Sequence, residues 1–238
     1  MREDISRKED VYIYVFRMPS SPGEMKDCPP ERRKEIDEAS REQRKKELYY
    51  GWKLLEYGAM DAFGVSPAAG DGGHNKDGKV NFGGICCSLS HSGDLIACAF
   101  SRENVGVDVE RCVRGETLRK IAKHILTQKE ALEAPSGSGE EFDRWVIRCW
   151  TEKESLFKRD GGDGFDPTAF DTIENRDRLF GVTLLSGGES YRLSAAISRK
   201  GTVPFLRFPD LGKEPERKSG VENPKITLSP ENGLCYNI

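Results

Sequence analysis

The chain has 238 residues, with 37 basic against 40 acidic side chains and a formal net charge of −3. That length suits one large domain or two small halves with a real core, and the balanced charge argues against general nucleic-acid affinity. The longest apolar runs, such as "DLIACAFS", are far shorter than the roughly 20 residues that cross a bilayer, and "MREDISRKED" lacks the apolar stretch of a signal peptide, so the expectation is a cytoplasmic protein with no membrane partner.

In chain order, "VYIYVFRM" (11–18) is rich in β-branched and aromatic residues and predicts a first strand. From about Glu31 to Gly58 the pattern is helical, with Leu48, Trp52, Leu55 and Ala59 forming one apolar stripe. "AAGDGGHNKDGKV" is a Gly-rich loop. Three strands follow, "GICCSLS", "DLIACAFS" and "NVGVDVE", and their short connections predict a β meander. "LRKIAKHI" is a short amphipathic piece, and Thr127 with Glu130 three residues on makes a capping box. Residues 140–159 give the longest helix, and "RLFGVTLL" and "YRLSAAIS", joined by "SGGES", read as a hairpin. The order strand, helix, strands thus occurs twice. This predicts an α+β fold of two similar halves, 1–112 and 113–198, followed by a Pro-containing tail, 199–238, that is irregular or wrapped over the surface.

Seven cysteines, with no CxxC pair, read as reduced thiols in the core. His74 and His124 are read as structural.

The strand "VGVDVE" alternates valines with Gly106, Asp108 and Glu110, so the two acids share a face, about 7 Å apart at the rise of a strand. On the long helix Glu154 and Lys158 are four residues apart and point the same way. Taken singly, each is an ordinary surface feature. Together, three carboxylates contributed by two halves suit a hard divalent cation such as Mg²⁺, and a lysine one turn further on suits a phosphate bound to that cation. Gly106, on the acids' face, is expected to leave room for a bulky ligand.

"VGVDVE" and "WTEKESLFK", with 41 residues between Asp108 and Trp150, resemble the signature of the 4'-phosphopantetheinyl transferase superfamily: a hydrophobic-Gly-hydrophobic-Asp strand, then an aromatic residue followed at fixed steps by Lys-Glu and a further Lys. "SLSHSGDLIACAFS" resembles the family's "NISHS" segment, "RKKELYYG" its "RRxEFxxG" helix, and "GKVNF" stands where longer members carry a Gly-Lys pair. The two-half length is similar to that of the monomeric, surfactin-type holo-carrier-protein synthases.

The resemblance implies Mg²⁺-dependent transfer of phosphopantetheine from coenzyme A to a serine of an acyl or peptidyl carrier protein, with release of adenosine 3',5'-bisphosphate. It implies that Asp108, Glu110 and Glu154 hold Mg²⁺, that Glu154 takes the serine proton, and that Lys158 stabilises the leaving phosphate. His91 would contact a coenzyme A phosphate with Ser90 and Ser92 beside it. Arg44, Lys45 and Lys79 would form the basic pocket for the 3'-phosphate, with Arg41 or Lys46 as alternatives in register. Trp150 is read as a core residue that orients its helix. The alternatives are a coenzyme A binding scaffold without catalysis and a metal-dependent phosphohydrolase. The first 30 residues and the last 40 match nothing in the family.

Overall fold

The computed structural model describes residues 10–21, 23, 25, 27–67, 80–113, 115–136, 139–212, 226–229 and 233–237. The strands are β1 (Val11–Arg17), β2 (Val80–Phe82), β3 (Ile85–Ser92), β4 (Leu95–Ser101), β5 (Val105–Arg111), β6 (Leu179–Ser186), β7 (Glu189–Ile197), β8 (Phe205–Arg207), β9 (Ile226–Ser229) and β10 (Gly233–Asn237). The α-helices are α1 (Pro30–Glu38), α2 (Glu42–Phe63), α3 (Glu116–Ile125), α4 (Gln128–Glu133) and α5 (Glu140–Asp160). They form an α+β fold with two five-stranded sheets, ordered β2-β3-β4-β1-β8 and β5-β7-β6-β10-β9.

The period of two in the strands sorts side chains into layers. Val11, Ile13 and Val15 of β1 and Leu95, Ala97 and Ala99 of β4 pack against Val105, Val107 and Val109 of β5, Val182 and Leu184 of β6, and Leu193 and Ala195 of β7. This shared core holds the sheets face to face. Tyr12, Tyr14, Ile96, Cys98 and Phe100, on the other face of the first sheet, pack on Leu54, Leu55 and Ala59 of α2. α5 covers the outer face of the second sheet, against β5 and β7. The order of layers is α2, first sheet, second sheet, α5.

The expected meander is corrected. β5 does not follow β4 in one sheet; it pairs antiparallel with β7, Val105 opposite Ile197 and Arg111 opposite Tyr191. The reason lies in β4. Both of its edges are taken, by β3 and by β1, and all seven of its residues are buried. The loop after Ser101 therefore carries the chain from one sheet to the other.

The single expected helix over residues 31–58 is two, because Ala39 and Arg41 are extended, with ψ 126° and 130°. The described tail segments are more ordered than the prolines suggest. β8 runs parallel to β1, and β10 runs parallel to β6 with β9 beside it, so the described tail segments extend both sheets rather than lie irregularly over them. Phe205 stacks on Tyr12 with ring centroids 5.2 Å apart, and Arg207 lies over the Tyr12 and Tyr14 rings while ion-pairing with Asp61 of α2. The capping box forms as expected, the Thr127 side chain accepting from the Glu130 amide and the Glu130 carboxylate from the Thr127 amide. Cys28, Cys87, Cys98 and Cys149 are free thiols, and Cys87, Cys98 and Cys149 are buried.

Gly106 has a different purpose from the one expected. A Cβ there would lie 1.9 Å from the Ser155 carbonyl oxygen and 2.6 Å from the Arg159 amide nitrogen, both backbone atoms of α5. The missing side chain makes room for a helix, not for a ligand. Gly106→Ala should force α5 away from β5 and lower stability by about 3 kcal/mol, the upper part of the usual range for overpacking. Urea unfolding midpoints check this, and an unchanged midpoint would contradict the close approach.

Candidate active site

Because β5 lies under α5, the face that carries Asp108 and Glu110 is turned to the helix face that carries Glu154 and Lys158. Lys158 Nζ donates to Asp108 Oδ1 at 2.7 Å and stands 3.9 Å from Glu154 Oε2. Ser90 Oγ, on β3, donates to the same Asp108 oxygen at 2.8 Å. Asp108 is 3% exposed, and its Oδ2 is buried without a hydrogen-bond partner. Glu110 Oε2 accepts from Ser92 Oγ at 2.8 Å.

β3 also presents His91, on the side that faces α2. Its Nε2 is 3.2 Å from Arg44 Nη1 and 3.5 Å from Glu47 Oε2, and Arg44 Nη1 is 3.3 Å from the same Glu47 oxygen. A cleft of about 480 Å³ opens beside this cluster, lined by Arg41, Gln43, Arg44 and Glu47. Four elements from both halves of the chain thus meet at one place: α2, β3, β5 and α5.

The electrostatics follow from burial. Burial is the largest influence on Glu154 and pushes its carboxyl above the usual range; the charges of Asp108 and Glu110 push the same way, and Lys158 only partly offsets them. Burial likewise raises Glu110, against the Ser92 hydrogen bond and Lys158. His91 is lowered, first by burial and then by the nearby Arg44 and Lys158, so the imidazole is neutral at pH 7. Three carboxylates here face Lys158 as their close cation. Among the described residues, no three His, Cys, Asp or Glu side chains stand close enough together to form a ready metal cage.

Of the residues singled out in the sequence, Ser90, His91, Asp108, Glu110, Glu154, Lys158 and Arg44 are brought together. Lys45 is not: its ammonium lies 4.0 Å from Glu42, one turn back on α2. Lys46, offered as an alternative, donates to the Pro19 and Ser20 carbonyls, whereas Arg41 lines the cleft. Lys79 lies outside the described residues. Trp150 is half-buried against the α3–α5 core and meets Phe165 edge-on at 5.5 Å, as expected of a residue that orients its helix.

Two features escaped the sequence reading. Glu47, which orients both Arg44 and His91, sits three residues after Arg44 in "RKKELYYG", and that spacing was a legible signal. Lys153, next to Glu154, is fully buried: its Nζ lies 2.9 Å from the equally buried Glu130 and donates to the carbonyls of Pro167 and Phe170. In the sequence this lysine stood only as the Lys of the signature's Lys-Glu pair, with nothing to signal its burial.

Comparison with known proteins places part of the chain alongside one family. The family model of the 4'-phosphopantetheinyl transferase superfamily matches residues 104–204. That segment, from the residue before β5 to beyond the end of β7, is similar to the superfamily. It contains Asp108, Glu110, Glu154 and Lys158, whereas the α2 and β3 contributions lie before it. A "4'-phosphopantetheinyl transferase" of Bacillus subtilis is 27% identical over 114 residues, 47% of this chain and 50% of that protein. The "4'-phosphopantetheinyl transferase AcpT" of Salmonella typhimurium is 33% identical over 86 residues, 36% of this chain and 45% of that protein. The "4'-phosphopantetheinyl transferase Sfp" of Bacillus subtilis strain 168 is 30% identical over 74 residues, 31% of this chain and 32% of that protein. The chain therefore spans half or less of the length of the curated relatives it matches.

The raised carboxyls carry a stability consequence. A carboxyl whose folded-state pKa lies above its unfolded value binds its proton more tightly when folded, so the folded state loses stability as pH rises from about 4.5 through the raised value. In a divalent-ion chelator, Glu154→Gln should flatten this decline between pH 4.5 and pH 7 and raise the melting temperature at neutral pH. Thermal melts across that range check it. A steeper decline in the variant would contradict the assignment of repulsion to Glu154.

Proposed function

We propose that the protein transfers the 4'-phosphopantetheine group of coenzyme A to a serine of an acyl or peptidyl carrier protein, leaving adenosine 3',5'-bisphosphate. The observation that carries this reading is the contact of Lys158 with both Asp108 and Glu154, which joins the strand acids and the helix acid of the superfamily signature into one site.

The donor set fits a hard divalent cation. Asp108 Oδ2 is buried and unpartnered, and burial opposes the ionised forms of Glu110 and Glu154, so a cation among the three oxygen donors would remove an electrostatic deficit. Asp108, Glu110 and Glu154 would hold Mg²⁺, which when bound neutralises charge on the pyrophosphate of coenzyme A. The side chains of Glu154 and Lys158 keep part of their surface exposed, 22% and 27%, on the side from which an ion would enter.

The remaining work falls to this chain's own groups. Lys158 exchanges its contact with Asp108 for the phosphate and stabilises the charge that develops there. Glu154, with its raised carboxyl, accepts the proton of the carrier serine, directly or through one water. Neutral His91 donates one ring N–H to a coenzyme A phosphate, and Arg44, with Arg41 across the cleft, meets the 3'-phosphate. Glu47 fixes the direction of both Arg44 and His91. Ser90 stands beside the bound phosphates through its contact with Asp108.

One chain supplies the α2 and β3 side as well as the β5 and α5 side of the site, which supports a monomer. No helix among the described residues is long and apolar enough to cross a membrane. The free thiols of Cys28, Cys87, Cys98 and Cys149 support a reducing, cytoplasmic setting.

Incubation with coenzyme A, Mg²⁺ and a panel of apo carrier proteins, followed by intact-mass measurement, should show a carrier gaining the phosphopantetheine arm. Coenzyme A binding with no carrier modified would favour a scaffold, and nucleotide release without a carrier would favour a hydrolase. Asp108→Asn keeps the shape and the acceptor for Ser90 while removing the charge, and should slow transfer by roughly 1,000-fold, the loss typical of removing a key electrostatic stabiliser. A variant that kept the wild-type rate would refute the metal assignment.

A further inference from the structure

β5 has a hydrogen-bonded neighbour, β7, on one edge only, so alternate amides on its other edge point away from the second sheet. Opposite them lies the inner face of β3, where Ser88, Ser90 and Ser92 recur at every second position. The Val107 amide donates to Ser88 Oγ at 3.0 Å, the Val109 amide to Ser90 Oγ at 3.3 Å and the Arg111 amide to Ser92 Oγ at 3.1 Å. Three hydroxyls thus take the place that a neighbouring strand's carbonyls would occupy.

A hydroxyl that accepts an amide proton still has its own proton to give. Ser90 gives it to Asp108 Oδ1 and Ser92 gives it to Glu110 Oε2, each at 2.8 Å. Ser88 has no such acid, because the matching position on β5 is Gly106. The sequence spacing is constant: each serine stands 18 residues before the residue it serves, 90 with 108 and 92 with 110.

We infer that Ser90 and Ser92 are positioning residues: each is anchored by a β5 amide and uses its hydroxyl proton to fix one oxygen of a neighbouring acid, leaving the other oxygen free for a cation. The inference rests on the reading of Asp108 and Glu110 as cation ligands. Ser88 is a built-in control, since it ties the same two strands together with no acid to orient. The anchoring amide is what makes the arrangement directional. A serine free to rotate would share its proton among several acceptors, whereas one lone pair held by β5 leaves a narrow arc for the O–H. In Asp108 the result is visible: Oδ1 receives Ser90 and Lys158 together, and Oδ2 stays buried without a partner.

The test is direct binding of Mn²⁺ to the full chain, by titration calorimetry with and without coenzyme A, alongside urea unfolding midpoints. Ser90→Ala and Ser92→Ala should each weaken Mn²⁺ binding by about tenfold or more, the usual effect of removing a group that orients a metal ligand. Ser88→Ala should lower the unfolding midpoint about as much as they do but keep Mn²⁺ affinity. Ser92→Thr, which retains the hydroxyl at a half-buried position, should restore it. Equal weakening by all three alanine variants, unaltered affinity in Ser90→Ala and Ser92→Ala, or no rescue by threonine would overturn the inference. A wild-type chain that binds no Mn²⁺ under either condition would instead refute the metal reading, and the inference with it.

Discussion

The packing of α5 directly on the backbone of β5 at Gly106 is the constraint from which the site follows. With no Cβ at that position, the helix backbone approaches the strand far more closely than side chains allow elsewhere. Residues two and four beyond Gly106 on the strand, and those immediately before Ser155 and Arg159 on the helix, then face each other. Asp108 meets Lys158 there, with Glu154 and Ser90 beside them. The helix is held in rotation by its own neighbours. Glu152 reaches Arg148 and Arg192, Lys153 is buried against Glu130, and Glu154 is left facing the strand. A buried ion pair of this kind contributes little net stability, though either partner alone would be an uncompensated buried charge.

The face-to-face sheets place this chemistry at a junction. The valines and alanines between them form a dry core, while the edge of β5 beyond that core meets the serine side of β3. Apolar packing ends where hydroxyls begin, and the acids stand at that border. On the far side of β3, His91 reaches α2, so a strand only eight residues long relays contact from the second sheet to the first helix layer. The division of labour within β3 comes from its alternation alone: Cys87 and Leu89 join the core under α2, and the serines turn the other way.

Electrostatically, the site is built with an excess of negative charge that the fold does not neutralise. Burial raises Glu110 and Glu154, the Asp108 charge adds to both, and burial lowers His91. The structural ion pair of Lys153 and Glu130 shows the contrast. There the carboxylate also accepts the Thr127 and Thr172 amides and the ammonium donates to two carbonyls, so the charges are satisfied internally. At the candidate site Lys158 and two serine hydroxyls face three carboxylates, and burial still raises two of them.

Much of this was legible in the sequence because it depends on local periodicity. The alternation of "VGVDVE" put both acids on one face, the i, i+4 spacing put Glu154 and Lys158 together, and the capping box marked the start of α4. The spacing between the two segments carried the family resemblance, and the α+β character followed from the element order. What the sequence could not decide was which edges and faces meet. The short loop after β4 permits a hairpin, yet β5 pairs with β7, because β1, from the start of the chain, already occupies the free edge of β4. Gly106 reads equally well as room for a ligand or room for a helix, and only the position of α5 chose the helix. Whether Arg44 or Lys45 turned toward His91 depended on the rotation of α2, fixed by burial of Trp52, Leu55 and Ala59 rather than by the charged residues themselves. Local pattern fixes the direction of a side chain relative to its own backbone; partners are chosen by long-range packing, in which strands 80 or more residues apart compete for the same edge.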